Sequence, residues 1–260
     1  MLFWSNVLHM NDNKQKIINL FHQNVRGKKA VTDEANLKHN GKKGHWLEKQ
    51  MGVKHNADNK PDLFGYEMKN ATKTKTSFGD WMASYYIYED LQYKIDKNGF
   101  IKIFGTPKPK KNNRYSWSGT TCPKKVGVYT PSGQTLEVDD ENNVLVKYSF
   151  SIDTRQDKNT MVPAAMKKDD LIIARWDSEL MRKRVEDKFN QQGWFKCLIN
   201  KDGIYTEIVF GDPIPFEKWI NDLKSGHIIF DGGMTFGKSR RYSIWRANNP
   251  YWESLITDRH

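Results

Sequence analysis

Four side chains carry the first chemical hint: Glu48, Asp62, Glu67 and Lys69. They fall in the stretch GKKGHWLEKQMGVKHNADNKPDLFGYEMK, residues 41–69, where Pro61-Asp62 is followed five residues later by Glu67 and then by Lys69. Hydrolysing a phosphodiester requires offsetting charge on a phosphorane-like state and producing hydroxide near neutral pH. Hard oxygen ligands holding Mg2+ serve both needs. Asp62 and Glu67 can converge on one ion if the chain bends at Gly65. At strand period two, Glu67 and Lys69 share one face while Tyr66 and Met68 share the other. An ammonium at Lys69 is then placed to orient or deprotonate a water and to offset phosphate charge. Glu48, upstream on a helix, would complete the ligand set or serve a second ion. The plain alternative is a surface strand with solvated charges, because Asp-x4-Glu-x-Lys is a short pattern.

These residues need elements to hold them. HWLEKQM reads as a short helix ended at Gly52, with Trp46 and Leu47 toward the core. KHNADNKP reads as a polar loop and DLFGYEMKNA as a strand. Upstream, Ile17, Ile18, Leu20 and Phe21 in KQKIINLFHQNV have helical spacing. The segment TKTKTSFGDWMASYYIYEDLQ suits a helix better than a strand. Asn98-Gly99, between two alternating runs, signals a hairpin. Residues 127–153 read as strand, turn and strand with DDENN at the tip. LIIARW reads as a buried strand and SELMRKRVEDKFNQQ as a charged amphipathic helix. FKCLI and IYTEIVF form a hairpin around Asp202-Gly203. PIPFEKWINDLKSG is a helix opened by Pro215 and closed by Gly226. HIIFDGGMTFGKSRRYSIWRANN is a last hairpin with a Gly-rich, basic turn. Mixed in this order, the elements predict an α/β (α+β) fold built on a mixed sheet.

Composition points to the partner. The 260 residues suit one large domain or two lobes, and they carry a net charge of +11 with 13% aromatic content. Such a surplus favours a polyanion, nucleic acid before anionic membrane. Cys122 and Cys197 alone cannot form a disulfide framework or a four-cysteine zinc site, so a reducing cytoplasm is expected. No apolar run is long enough to span a membrane and the N-terminus does not read as a signal peptide.

Two basic segments stand out. Between Lys97 and Leu136 there is no acidic residue. Lys97, Lys102, Lys108, Lys110, Lys111, Arg114, Lys124 and Lys125 lie there, with Tyr115 and Trp117 available to pack on sugars or bases. Near the C-terminus, Lys238, Arg240, Arg241 and Arg246 suit a β-ribbon entering a major groove, Arg246 foremost, with Asn248 and Asn249 as weaker base readers. Each segment also fits a solvated basic loop or a charged sheet edge. His45 lies near Glu48 and reads more readily as a packing residue. His22, His39, His55 and His227 lack metal-ligand spacing.

G-x2-G-x2-LE-x3-G followed by PDL-x-GYEMK resembles the PD-(D/E)XK nuclease superfamily. Within it, the likeness is to the group that holds MutH, Sau3AI, MvaI and BcnI. The resemblance implies a restriction-endonuclease-like mixed sheet flanked by helices, with two lobes forming a DNA cleft. It implies that Glu48 is the helical acid, that Asp62 and Glu67 are metal ligands for one or two Mg2+ ions, and that Lys69 is the catalytic lysine. It matches Arg246 to a DNA-reading arginine, although Arg246-Ala247-Asn248 departs from the Arg-Pro-Lys that often follows in the group. The expected division is a catalytic lobe at 1–190, with a basic insertion around 97–136, and a recognition lobe at 191–260.

The expected activity is that of a type II restriction endonuclease, cutting double-stranded DNA at a short palindromic sequence and leaving 5′-phosphate ends. A monomer that nicks the strands in turn is expected, with a cognate DNA methyltransferase in the same system. The competing classes are a mismatch-repair-type nickase and a DNA-binding module without catalysis.

Overall fold

The structure is a computed structural model and describes residues 2–31, 42–53 and 59–260. Gly41, His39, His55 and residues 54–58 of the KHNADNKP loop lie outside the described residues. In chain order the first elements are α1 Leu2–Asn24, α2 Lys42–Gln50, β1 Tyr66–Lys69, β2 Lys75–Asp80, β3 Tyr85–Tyr86 and α3 Lys97–Phe104. Then come β4 Thr106–Lys108, β5 Arg114–Ser118, β6 Gln134–Val138, β7 Val144–Tyr148, α4 Lys158–Met161, β8 Leu171–Trp176 and α5 Ser178–Phe189. The chain ends with β9 Gly193–Ile199, β10 Tyr205–Gly211, α6 Phe216–Lys224, β11 Ile228–Thr235, β12 Ser243–Asn248, α7 Asn249–Ser254 and β13 Ile256–Arg259.

Two compact units share this chain. The first takes residues 1–76, 184–216 and 249–260; the second takes 77–183 and 217–248. The sheet of the first unit runs β1-β9-β10-β13. β1 is parallel to β9, with Glu67 opposite Trp194 and Lys69 opposite Lys196, and the remaining pairings are antiparallel. One sheet face is apolar. Tyr66, Met68, Phe195, Cys197, Ile208 and Phe210 pack there with Ile17 and Phe21 of α1, Leu47 of α2, and Val25 and Met51 just beyond the ends of those helices. Burying each large side chain of this set contributes about 1.5–3 kcal/mol. Gly52 has φ +76°, the left-handed conformation that stops α2 as its sequence implies.

The second unit holds two sheets, β2-β12-β11-β5-β4 and β3-β8-β7-β6. Its core is aromatic. Trp176 lies 5.0 Å from Phe230 and 5.3 Å from Trp245, and Trp117 lies 5.6 Å from Phe230. Trp176 Nε1 donates to the Trp81 carbonyl at 2.7 Å, so this indole buries no idle donor.

Five expectations change. Residues 97–104 form helix α3 instead of a hairpin. Asp96 caps it, accepting from the Gly99 N–H at 2.7 Å, and Phe100, Ile101, Ile103 and Phe104 bury one helical face. The segment from Thr72 is not one helix: Thr76 and Phe78 alternate inward along β2, a strand pattern, and only short 3-10 turns at Ile87–Glu89 and Leu91–Tyr93 are helical. Trp117 is fully buried and donates to Gln134 Oε1 at 2.7 Å, so it is a core residue and offers nothing to a sugar or base. The division at 190/191 does not coincide with the compact units, because β9 and β10 join the sheet that β1 begins. Likewise 97–136 is no appended insertion, since β5 pairs with β11 inside the second unit. Among the described residues no helix is long and apolar enough to cross a membrane.

Candidate active site and basic hairpins

A tight turn builds the acidic site. Leu63 and Tyr66 exchange backbone hydrogen bonds at 3.0 and 2.8 Å. The two residues between them, Phe64 (φ +49°) and Gly65 (φ +84°), are both left-handed. Two such residues in succession fold the chain sharply back. Phe64 there is a bulky side chain in a conformation it rarely takes. The reversal returns Asp62 alongside β1, where its Oδ2 accepts the Met68 N–H at 2.9 Å. The bend expected at Gly65 is thus a two-residue turn.

β1 then sorts its own side chains. Tyr66 and Met68 enter the apolar core, while Glu67 and Lys69 lie on the opposite face and remain buried. Lys69 Nζ donates to Glu67 Oε1 at 2.8 Å and stands 4.7 Å from the centre of the Phe189 ring. A second cation arrives from α5: Lys188 Nζ lies 3.2 Å from the same Oε1. Burial holds the Glu67 carboxyl above its ordinary range, against the opposing pull of Lys69 and Lys188, and neighbouring Asp62 adds to the rise. Burial pushes the Lys69 ammonium below its ordinary range, with Glu67 opposing. A lysine so lowered is closer to accepting a proton than one in water.

The donor set suits a hard cation in one respect. Glu67 Oε2 is buried and has no hydrogen-bond partner among the described residues. An orphaned carboxylate oxygen beside a second carboxylate is the kind of arrangement that Mg2+ fills, because that ion takes one or two carboxylates and completes its shell with water and phosphate oxygens. Among the described residues, no three His, Cys, Asp or Glu side chains stand together as a metal cluster. Glu48 therefore does not form a three-carboxylate group with Asp62 and Glu67. On α2 its Oε2 lies 3.3 Å from His45 Nδ1, one helical turn away.

The basic residues of the last hairpin are all in the second unit, and three of them have acidic partners. Arg240 Nη2 lies 3.1 Å from Asp80 Oδ2, and its guanidinium lies 4.1 Å from the centre of the Tyr242 ring. Arg241 pairs with Glu89. Arg246 Nε lies 3.0 Å from Asp231 Oδ2, close enough for an ion pair but at an angle that makes no hydrogen bond. Lys238 is exposed at the turn, and Asn248 is exposed at the end of β12. The earlier segment folds into the β4–β5 hairpin. Lys110, Lys111 and Arg114 are exposed around its turn and Lys108 is half-buried beside them.

Two residues escaped the sequence reading. Lys188 is one of several charges on α5, and no local signal separates it from Lys183; only the fold brings it to Glu67. Asp231 interrupts the apolar run IIFD on β11. That break was visible, but its placing near Arg246 depends on the register, which sets Ile229 opposite Arg246 and Asp231 opposite Ile244.

Comparison with known proteins now bears on these geometries. The chain is 42% identical over 271 residues to the type II restriction enzyme ScrFI of Lactococcus lactis subsp. cremoris, covering 96% of this chain and 100% of the relative. Its fold is similar to that of the restriction endonuclease MvaI, solved in complex with its cognate DNA substrate. The TM-score is 0.59 with 11% identity, covering 97% of each chain. Residues 25–260 match the model of the LlaMI restriction endonucleases. The chain therefore belongs to the LlaMI restriction endonuclease family and is a site-specific deoxyribonuclease.

Proposed function

We propose that this type II enzyme hydrolyses duplex DNA at a short palindromic sequence, with Asp62 and Glu67 holding Mg2+ and Lys69 handling the attacking water. The observation that carries the reading is the buried Glu67. One of its oxygens is bound by Lys69, and the other is orphaned on a strand that Asp62 flanks. Mg2+ bound there would supply Lewis acidity and lower the pKa of a water. The chain's own residues do the rest. The Met68 N–H fixes Asp62. Lys69, held by Glu67 and by the Phe189 ring, orients the water and takes up its proton. Glu48 supports the site from α2, or serves a second ion.

Lys108, Lys110, Lys111, Arg114, Lys238, Arg240 and Arg241 are assigned to backbone phosphates, and Arg246 to a guanine edge with Asn248 as a lesser contact. In this reading the unit carrying Glu67 cuts and the other unit reads. The enzyme works as a cytoplasmic monomer that nicks the strands in turn, beside a cognate methyltransferase.

Plasmid digestion with Mg2+ and mapping of the ends tests this directly. Asp62→Ala and Glu67→Ala are expected to abolish cleavage with duplex binding kept, and Lys69→Ala to slow it by about 10²–10⁴-fold. Cleavage surviving in either carboxylate variant would sink the site. Arg246→Ala is expected to lose about 1–3 kcal/mol of discrimination; an unchanged preference moves recognition elsewhere. A requirement for an activating partner protein would turn the assignment to a nickase.

A further inference from the structure

The β4–β5 hairpin holds a feature that phosphodiester cleavage does not use. Lys108, Lys110, Lys111 and Arg114, with the hydroxyls of Ser116 and Ser118, line a cavity of about 410 Å3 that Thr235 of β11 closes on one side. Strand alternation explains the lining: Arg114, Ser116 and Ser118 point to one face of β5, while Trp117 enters the core on the other.

The pairing is costly as it stands. Lys108 sits directly opposite Arg114 in the antiparallel register. Like charges in that position repel, and no acidic residue occurs from Lys97 to Leu136 to offset them. Among the described residues, Lys108 Nζ donates to a carbonyl, that of Ser118 at 3.1 Å, and pairs with no carboxylate. The turn is also fixed in an uncommon shape, with Asn112 (φ +53°) and Asn113 (φ +54°) both left-handed. At the floor, the buried Ser116 hydroxyl is tied to the Met234 carbonyl and to Ser118 Oγ, each at 2.9 Å. The charged groups offered to the interior are all cationic donors, and a phosphate offers only acceptors.

We propose that this cavity receives one backbone phosphodiester of bound DNA, recessed between Lys108 and Arg114, as a fixed anchor in the unit that does not carry Glu67. The proposal deepens the DNA-binding reading above and rests on it for the source of the phosphate. It replaces a diffuse basic clamp by one seated group whose arrival relieves the Lys108–Arg114 repulsion.

The test is fluorescence anisotropy of a labelled duplex across a salt series with the whole chain in EDTA, so that no cleavage intervenes. Each lost phosphate contact lowers the slope of log K against log salt by about 0.9. Arg114→Ala, and the double variant Lys108→Ala/Arg114→Ala, are expected to flatten the slope by about that amount. Lys125→Ala, an exposed lysine of the same basic window outside the cavity, is expected to leave it unchanged. A slope unaltered by the cavity variants overturns the proposal, as does an equal loss in Lys125→Ala, which describes a diffuse clamp. In a second arm tripolyphosphate is titrated calorimetrically. One-to-one binding lost in Arg114→Ala, with the duplex slope intact, reassigns the cavity to a small free anion. A wild-type protein that retains no duplex sinks the DNA reading, and the tripolyphosphate arm then decides the cavity by itself.

Discussion

Glu67 sits on a short strand with a lysine on either side of one of its oxygens. Lys69 reaches Oε1 from two residues along β1, and Lys188 reaches it from the last turn of α5. A buried carboxylate without such partners would hold a proton instead of a charge. Lys188 offsets part of the burial penalty on the Glu67 carboxylate, and in the proposed mechanism it does so while Lys69 attends to the water. Residues that support a ligand typically matter by about 10–100-fold when removed. Lys188→Ala is accordingly expected to slow single-turnover cleavage by about that factor with duplex affinity kept. An unchanged rate would leave Lys188 a purely structural partner. The arginines show the same logic in reverse. Arg240, Arg241 and Arg246 each have a carboxylate nearby, so the proposed DNA contacts require those partners to be exchanged for DNA atoms.

Elements place these residues more through pairing than through propensity. The left-handed turn at Phe64-Gly65 brings Asp62 to β1, β9 pairs its edge, and Phe189 and Lys188 of α5 with Trp252 of α7 pack on the face that carries Glu67 and Lys69. Helix α3 is the instructive miss. Asn98-Gly99 is a strong hairpin signal, yet Asp96 two residues earlier is a good N-cap, and the apolar residues behind it have helical spacing. Capping and burial together outweigh the turn preference of one dipeptide. Asp96→Ala is expected to lower the stability of the chain by about 1 kcal/mol in chemical denaturation. No change in the midpoint would show that packing of Phe100 and Phe104 alone holds the helix.

At the scale of the whole chain, neither unit is a continuous segment. The backbone passes between them after residues 76, 183, 216 and 248. A fragment ending at residue 190, the expected catalytic lobe, keeps Glu48, Asp62, Glu67 and Lys69 but loses β9, the strand that β1 pairs with, and β10 and β13 beyond it. Lone strands without a partner do not hold their shape in water. The fragment 1–190 is expected to be unfolded by circular dichroism and unable to cut a plasmid. A folded, active fragment would show that the apolar cluster of α1 and α2 holds β1 without the sheet.

The amino-acid sequence by itself determined the chemistry on offer: two carboxylates and a lysine at nuclease spacing, a cationic surplus suited to DNA, and the alternation that puts Glu67 and Lys69 on one face. Short-range rules suffice for these, because the residues lie within a few positions of one another. The β6–β7, β9–β10 and β11–β12 hairpins, β8, α5 and α6 were legible for the same reason, whereas α4, α7 and β13 were not read. Only the tertiary structure decided which distant groups meet. Lys188 lies on a helix far along the chain from Glu67, Asp231 reaches Arg246 through a strand register, and Lys108 faces Arg114 across a hairpin whose floor is tied to β11. Such meetings arise from burying apolar faces that local patterns leave without an address. The nearness of Asp62, Glu67 and Lys69 was therefore readable early, and the second lysine beside Glu67 was not.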